Sequence, residues 1–151
     1  MPPDNLTLED LLPHRSRMLL IEKILEGTPQ KAVSTAVVNA YWPFFNGSDV
    51  SPLVLIELTA QTAGICAGLA RIKERGLETD KKSWLVGIKR ADLYVETLHL
   101  KDCITTHAEN SFEYEGYRQI KGTAWIGKKL LGRIELQAIQ AEETHVEQRS
   151  Q

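Results

Sequence analysis

The eighteen residues LVLIELTAQTAGICAGLA, Leu53 to Ala70, carry one charged side chain, Glu57. A helix that is apolar on most of its faces must be buried on most of its faces, so this segment dictates what surrounds it. Its length approaches that of a membrane span, but Glu57, Thr59, Gln61 and Thr62 fall within it and the sequence has no second such run. No membrane span is expected. A central helix wrapped by a curved antiparallel sheet meets the same burial requirement. Ala60, Ala63, Gly64, Ala67 and Gly68 supply small side chains that let strands come close. Glu57, Gln61, Gly64 and Gly68 follow 4-3-4 spacing, which sets them along one stripe, and that stripe can line a slot.

The flanking sequence supplies the sheet. Met18–Gly27 and Lys31–Val38 are aliphatic and β-branched, with the turn-forming GTPQ between them, and predict a hairpin. Ser51 can cap a helix and Pro52 suits its first position, so the helix is predicted from Pro52 to about Arg75, some seven turns, with Gly76 as its stop. Beyond the polar ETDKK loop, SWLVGIKRADLYV, CITTHAENSFEY, YRQIKGTAWI and KLLGRIELQAI read as four strands. Residues 141–151, AEETHVEQRSQ, read as a polar tail.

At 151 residues, 42% hydrophobic and 25% charged, the whole chain is expected to form one domain. A net charge of −2, with no Lys/Arg run longer than a pair, argues against a nucleic-acid partner. MPPDNLTLEDLL lacks a basic region followed by an apolar stretch, so a cytoplasmic location is expected. Cys66 and Cys103 suit reduced thiols, and no group of residues has metal-ligand spacing. Neither metal nor cofactor is expected.

The order of hairpin, long helix and four strands, together with LLPHRSRMLLIEKILEG, FFNG, LIELTAQTAG, LVGIKRADLYVETLHLKD and GYRQIKGTAWIGKKLLGRIEL, resembles the hotdog-fold 3-hydroxyacyl-acyl-carrier-protein dehydratases of fatty acid synthesis. The resemblance runs from about Leu11 to Ile139 and rests on no single motif. It implies an α+β hotdog fold with two subunits pairing into one continuous sheet and the active site at their interface. There a helix glutamate from one subunit and a loop histidine from the other, in a Gly-His-Phe-Pro motif, carry out dehydration.

IELTAQTAG is in register with the family's helix motif, which puts Glu57 on the catalytic glutamate. A carboxylate in an apolar slot has its charged form disfavoured, so its pKa is expected to rise toward the range useful for proton transfer. The alternative is a structural Glu57 satisfied by Thr62 or Gln61. The loop departs from the family: after FFNG comes SDVSPLV, about five residues shorter, and Ser48 stands at the histidine position. A serine hydroxyl is no base near neutral pH. Asp49 is the alternative base. The glycine whose N–H binds the thioester oxygen aligns with Pro52, which has no N–H, or with Leu53 if one gap is allowed. Gly87 matches a position beside the acyl chain, although close strand packing also explains it. His14 matches a non-catalytic family motif, His99 and His107 suggest surface or interstrand roles, and His145 lies in the tail. Short-loop dehydratase-like proteins encoded beside aryl-polyene and related gene clusters are similar in lacking the His-Phe-Pro motif.

The candidate site therefore comprises Glu57 and Asp49 as catalytic groups, with Ser48, Leu53, Gln61 and Gly87 toward the substrate. Three functions are consistent with it: a dehydratase acting on acyl-carrier-protein or coenzyme A thioesters, a non-catalytic acyl-binding or partner subunit, and an acyl thioesterase. The expected assembly is a homodimer or higher oligomer through the strand edge around Trp84–Val95, or a hetero-oligomer with an active homologue. Without the loop histidine, slow dehydration by the chain alone is expected.

Overall fold

The structure, a computed structural model, describes residues 6–12, 18–76 and 83–140. The expectations for His14, the ETDKK loop, the tail 141–151 and His145 lie outside these residues. A short helix α1 (Leu8–Leu11) precedes strands β1 (Lys23–Gly27) and β2 (Lys31–Val37). The long helix α2 (Val54–Arg75) follows, then β3 (Ser83–Leu93), β4 (Cys103–Tyr114), β5 (Tyr117–Ile126) and β6 (Lys129–Gln140). The strands form one six-stranded sheet in the order β1-β2-β4-β5-β6-β3, every neighbouring pair antiparallel. This is the hotdog arrangement of a sheet curled around one helix.

Three boundaries differ from the sequence expectation by two residues or more, and one of them is β3, which ends at Leu93 rather than Val95. The helix begins at Val54 rather than Pro52, because Ser51 and Pro52 form a tighter turn: Val54 N–H donates to Ser51 O and Leu55 N–H to Pro52 O. The Ser51 hydroxyl accepts from the Leu53 N–H at 3.2 Å, so its cap serves that turn. The first strand begins at Lys23 rather than Met18, because the backbone at Met18 and Leu20 is bonded to the Gln61 side chain instead of to a neighbouring strand. Gly76, with φ of +89°, ends α2 as expected.

The helix is buried almost all round. Leu55 and Leu58 pack with Ile104, Ala124, Ile134 and Leu136 from the sheet. Ile65, Cys66 and Leu69 pack instead with Leu11, Leu12 and Ile21. Hydroxyls inside this core are satisfied locally: Thr59 and Thr62 donate to the carbonyls of Leu55 and Leu58, and Thr62 also bonds Ser34 at 2.8 Å. Burial raises the Cys66 thiol pKa to about 12, while Cys103 is exposed.

The small residues of α2 do a different job from the one expected. A Cβ at Gly68 would lie 2.5 Å from the Leu11 carbonyl oxygen, and one at Gly64 would lie 2.6 Å from a Leu12 methyl. These glycines admit the N-terminal segment, not a strand, and their part of the stripe is filled. The close approach of sheet and helix occurs at Gly122 of β5, where a Cβ would meet the Thr59 methyl at 2.5 Å. On the sheet's outer face, one row of paired residues runs Lys31, Glu109, Lys121, Glu135, Arg90, alternating in charge across five strands. Opposite charges across strands favour this register, and a one-residue slip would break all the pairs together.

Gly68→Ala tests the seat of α1. Alanine's helix propensity favours the change by about 1 kcal/mol, but overpacking against backbone costs roughly 1–3 kcal/mol. Urea denaturation should show net destabilisation, larger than for Gly64→Ala, whose neighbour is a side-chain tip; a Gly68→Ala protein as stable as its parent would contradict this packing.

Alkylation at pH 8 should label Cys103 in the folded protein and reach Cys66 only under denaturant. Because the folded Cys66 thiol binds its proton more tightly than an unfolded one, its contribution to stability is complete below about pH 8.5 and is lost as pH rises toward about 12. Equal labelling of both thiols in the native protein would contradict the burial of Cys66.

Candidate active site

Glu57 lies in the first turn of α2 and is half-buried. Its Oε1 accepts a 2.9 Å hydrogen bond from Gln61 Nε2, one helical turn on. Of the two partners weighed from sequence, Gln61 is the one that reaches it. Gln61 is 0% exposed; its Nε2 also donates to Met18 O at 2.6 Å, and its Oε1 accepts from the Leu20 N–H at 2.9 Å. Both amide hydrogens and the oxygen are thus engaged within the protein. Gln61 holds Glu57 against the segment leading into β1 and has no donor left for a substrate.

The loop before α2 is a second built element. Asn46 Oδ1 accepts from the N–H groups of Ser48 and Asp49, at 3.0 and 2.9 Å, and Asn46 N–H donates to Asp49 O. Gly47 supplies the positive φ, +102°, that this tight turn needs. The single Ser48 hydroxyl hydrogen lies between two acceptors, Asn46 Oδ1 at 3.3 Å and Asp49 Oδ2 at 3.4 Å. Val50 then pairs with Leu98 through two backbone hydrogen bonds of 2.9 and 2.8 Å, which carries the next residue, His99, to the loop. His99 Nδ1 lies 3.1 Å from Asp49 Oδ1.

Leu53 is exposed, but its N–H is occupied by Ser51 Oγ, so it meets a thioester oxygen only if that bond yields. Pro52 is buried and has no N–H to offer. Gly87 lies within β3, where its missing side chain makes room for Gln137 Oε1, 2.8 Å from where a Cβ would stand. Geometry thus yields two clusters, Glu57 with Gln61 and Ser48 with Asp49 and His99, and sets Gly87 apart. Among the described residues neither Asp49 nor His99 bonds to Glu57, no group of acidic, His and Cys side chains is arranged to hold a metal ion, and no helix is long and apolar enough to cross a membrane. His99 was not legible as a site residue. Fifty positions separate it from Asp49, and only the Val50–Leu98 pairing brings them together.

Comparison with known proteins agrees with this architecture. The ApeP-like family, described as ApeP dehydratase, matches residues 6–149. A 3-hydroxyacyl-[acyl-carrier-protein] dehydratase FabZ from Geotalea uraniireducens is 34% identical over 139 residues, covering 87% of this chain and 92% of the relative. A FabZ from Streptococcus equi subsp. zooepidemicus is 44% identical over 63 residues, and that match spans about half the relative's length, 45%. Among solved structures, the dehydratase heterocomplex ApeI:P from Xenorhabdus doucetiae superposes with a TM-score of 0.82 at 21% identity, covering 95% of this chain and 96% of its own.

Gln61→Leu keeps the side-chain volume but leaves the Leu20 N–H and Met18 carbonyl without their partner. Stability should fall by about 2–4 kcal/mol, the cost of stranding such groups. Urea denaturation measures it; an unchanged midpoint would show that the amide is dispensable.

Proposed function

Because the chain belongs to the ApeP-like dehydratase family, we propose that it dehydrates 3-hydroxyacyl thioesters carried on acyl carrier protein or coenzyme A, with Glu57 as the acid that protonates the departing hydroxyl. The observation that carries this reading is Glu57 itself: a half-buried carboxylate at the start of the buried helix, held by a side chain that has no other freedom. The Gln61 bond would also satisfy a structural glutamate; the family match and the register of IELTAQTAG favour the acid role, and Glu57→Gln decides between the two. General acid help at this step is worth roughly 10²- to 10⁴-fold in rate. On this reading Asp49 lies on the base side of the reaction, Ser48 and Leu53 face the substrate, and Gly87, filled by Gln137, belongs to the edge strand at which the second chain pairs.

Strand β3 ends the sheet, and Ile88 on it is 52% exposed. An eleven-residue edge strand leaves a row of backbone groups to be covered, and a second hotdog chain pairing there completes the site at the interface. A paired-subunit reading, in which the second chain is a different dehydratase, is favoured by two observations. Ser48 replaces the loop histidine, and the similar ApeI:P structure is a heterocomplex.

The test is an assay of the purified chain with 3-hydroxyacyl thioesters of several lengths, alone and mixed with a loop-histidine homologue, following enoyl product and free thiol. Glu57→Gln should lower enoyl formation by at least 10²-fold. Thiol release without enoyl product would favour a thioesterase, and binding without conversion in either setting would favour an acyl-binding role.

A further inference from the structure

Dehydration of a 3-hydroxyacyl thioester begins at a weakly acidic C–H, and Ser48 cannot take that proton. We infer that His99, oriented by Asp49, is the general base of this site, an inference that rests on the dehydratase reading above. The hydrogen bond from His99 Nδ1 to Asp49 Oδ1, 3.1 Å long, puts the ring proton on Nδ1 and leaves the Nε2 lone pair outward.

The pair is held from both sides. Its two loops are joined by the paired Val50 and Leu98 backbones. His99 N–H donates to Asp102 Oδ2 at 2.9 Å, and the Asp102 N–H returns a bond to His99 O at 3.1 Å. Within this turn Lys101 adopts a φ of +74°, unusual for a residue with a side chain, and donates its N–H to Val38 O. Opposite, the backbone of Asp49 is fixed by Asn46, whose Oδ1 accepts the Asp49 N–H at 2.9 Å. Ser48 is tied into the same turn as the carboxylate that orients the ring. A surface ion pair contributes about 0–1 kcal/mol and requires no such framing.

Nε2 has no partner among the described residues, and the His99 side chain is 68% exposed, so a substrate can reach it. The other described histidine, His107, pairs between Val33 and Thr123 on the sheet's outer face, away from α2. Within one chain neither Asp49 nor His99 bonds Glu57, consistent with a site assembled from two chains. In the reaction Nε2 takes the proton from C2. The C2–H electron pair forms the C2=C3 double bond as the C3–O bond breaks, and the Glu57 carboxyl of the facing chain delivers its proton to the leaving oxygen, releasing water. The imidazolium proton then returns to the Glu57 carboxylate through solvent, so the net change is loss of one water from the substrate. Asp49 is a positioning residue throughout.

The experiment compares His99→Gln, Asp49→Asn and Glu57→Gln in the full chain by enoyl formation, alone and mixed with a loop-histidine homologue. His99→Gln should lower kcat by roughly 10²- to 10⁴-fold with little change in KM. Asp49→Asn should cause a smaller kcat loss and, in nitrogen NMR spectra of the ring, a shift of the His99 proton away from Nδ1. If turnover appears only in the mixture, His99→Gln should remove this chain's share of it. Full activity of His99→Gln beside a dead Glu57→Gln overturns the inference and leaves the dehydratase reading standing. Loss with Asp49→Asn but not with His99→Gln also overturns it, in favour of Asp49 as the base. Absence of enoyl product from the parent in both settings defeats the dehydratase reading, and the inference falls with it.

Discussion

The Gln61 amide is the joint on which the molecule turns. It stands fully buried on α2, and three hydrogen bonds tie it to the backbone on either side of Leu19 and to the carboxylate of Glu57. A buried amide is costly unless its groups are paired, so one residue fixes three things at once: the path of the chain into β1, the seating of the helix, and the orientation of its one early charge. Where the helix turns away from this joint, Gly64 and Gly68 let Leu11 and Leu12 lie directly against it. The apolar helix is thus enclosed by the sheet on one side and by its own N-terminal segment on the other.

Much of this was readable in advance, for physical reasons that also mark the limits. A long run with one charge has to be a buried helix, and the β-branched stretches around it have to be its cover, so the fold followed from patterning. β4 and β5 run as expected, between the ends that Gly116 and Gly127 turn with positive φ. Small residues in a helix announce that something approaches closely but not what: at Gly64 and Gly68 it is the segment at Leu11 and Leu12, not a strand. Ser51 looked like the cap of the helix because it caps the turn that leads into it. His99 carried no local signal at all, since its meaning depends on the contact between Val50 and Leu98 that only the folded chain makes.

In the proposed reaction the two clusters of the site divide the work of an elimination between two kinds of support. Glu57 is set on a rigid helix and held by a buried amide. Asp49 and His99 sit on two loops whose positions are fixed by paired backbone, an Asn-capped turn and a residue with positive φ. Catalytic groups need this kind of scaffolding, since misplacement by an ångström is expensive in rate. In the proposed assembly a second chain pairs along the edge strand β3 and brings together Glu57 and His99, which do not bond to each other within one chain.

That division between chains is the centre of the account, and mixing two defective proteins tests it directly. Glu57→Gln and His99→Gln proteins, each inactive alone, are combined under conditions that exchange subunits. If a site takes its acid from one chain and its base from the other, half of the dimers are mixed and each holds one intact site, so about a quarter of the parent activity should return. Activity that stays at the sum of the two inactive proteins, with subunit exchange verified and the parent chain active on its own, would contradict it.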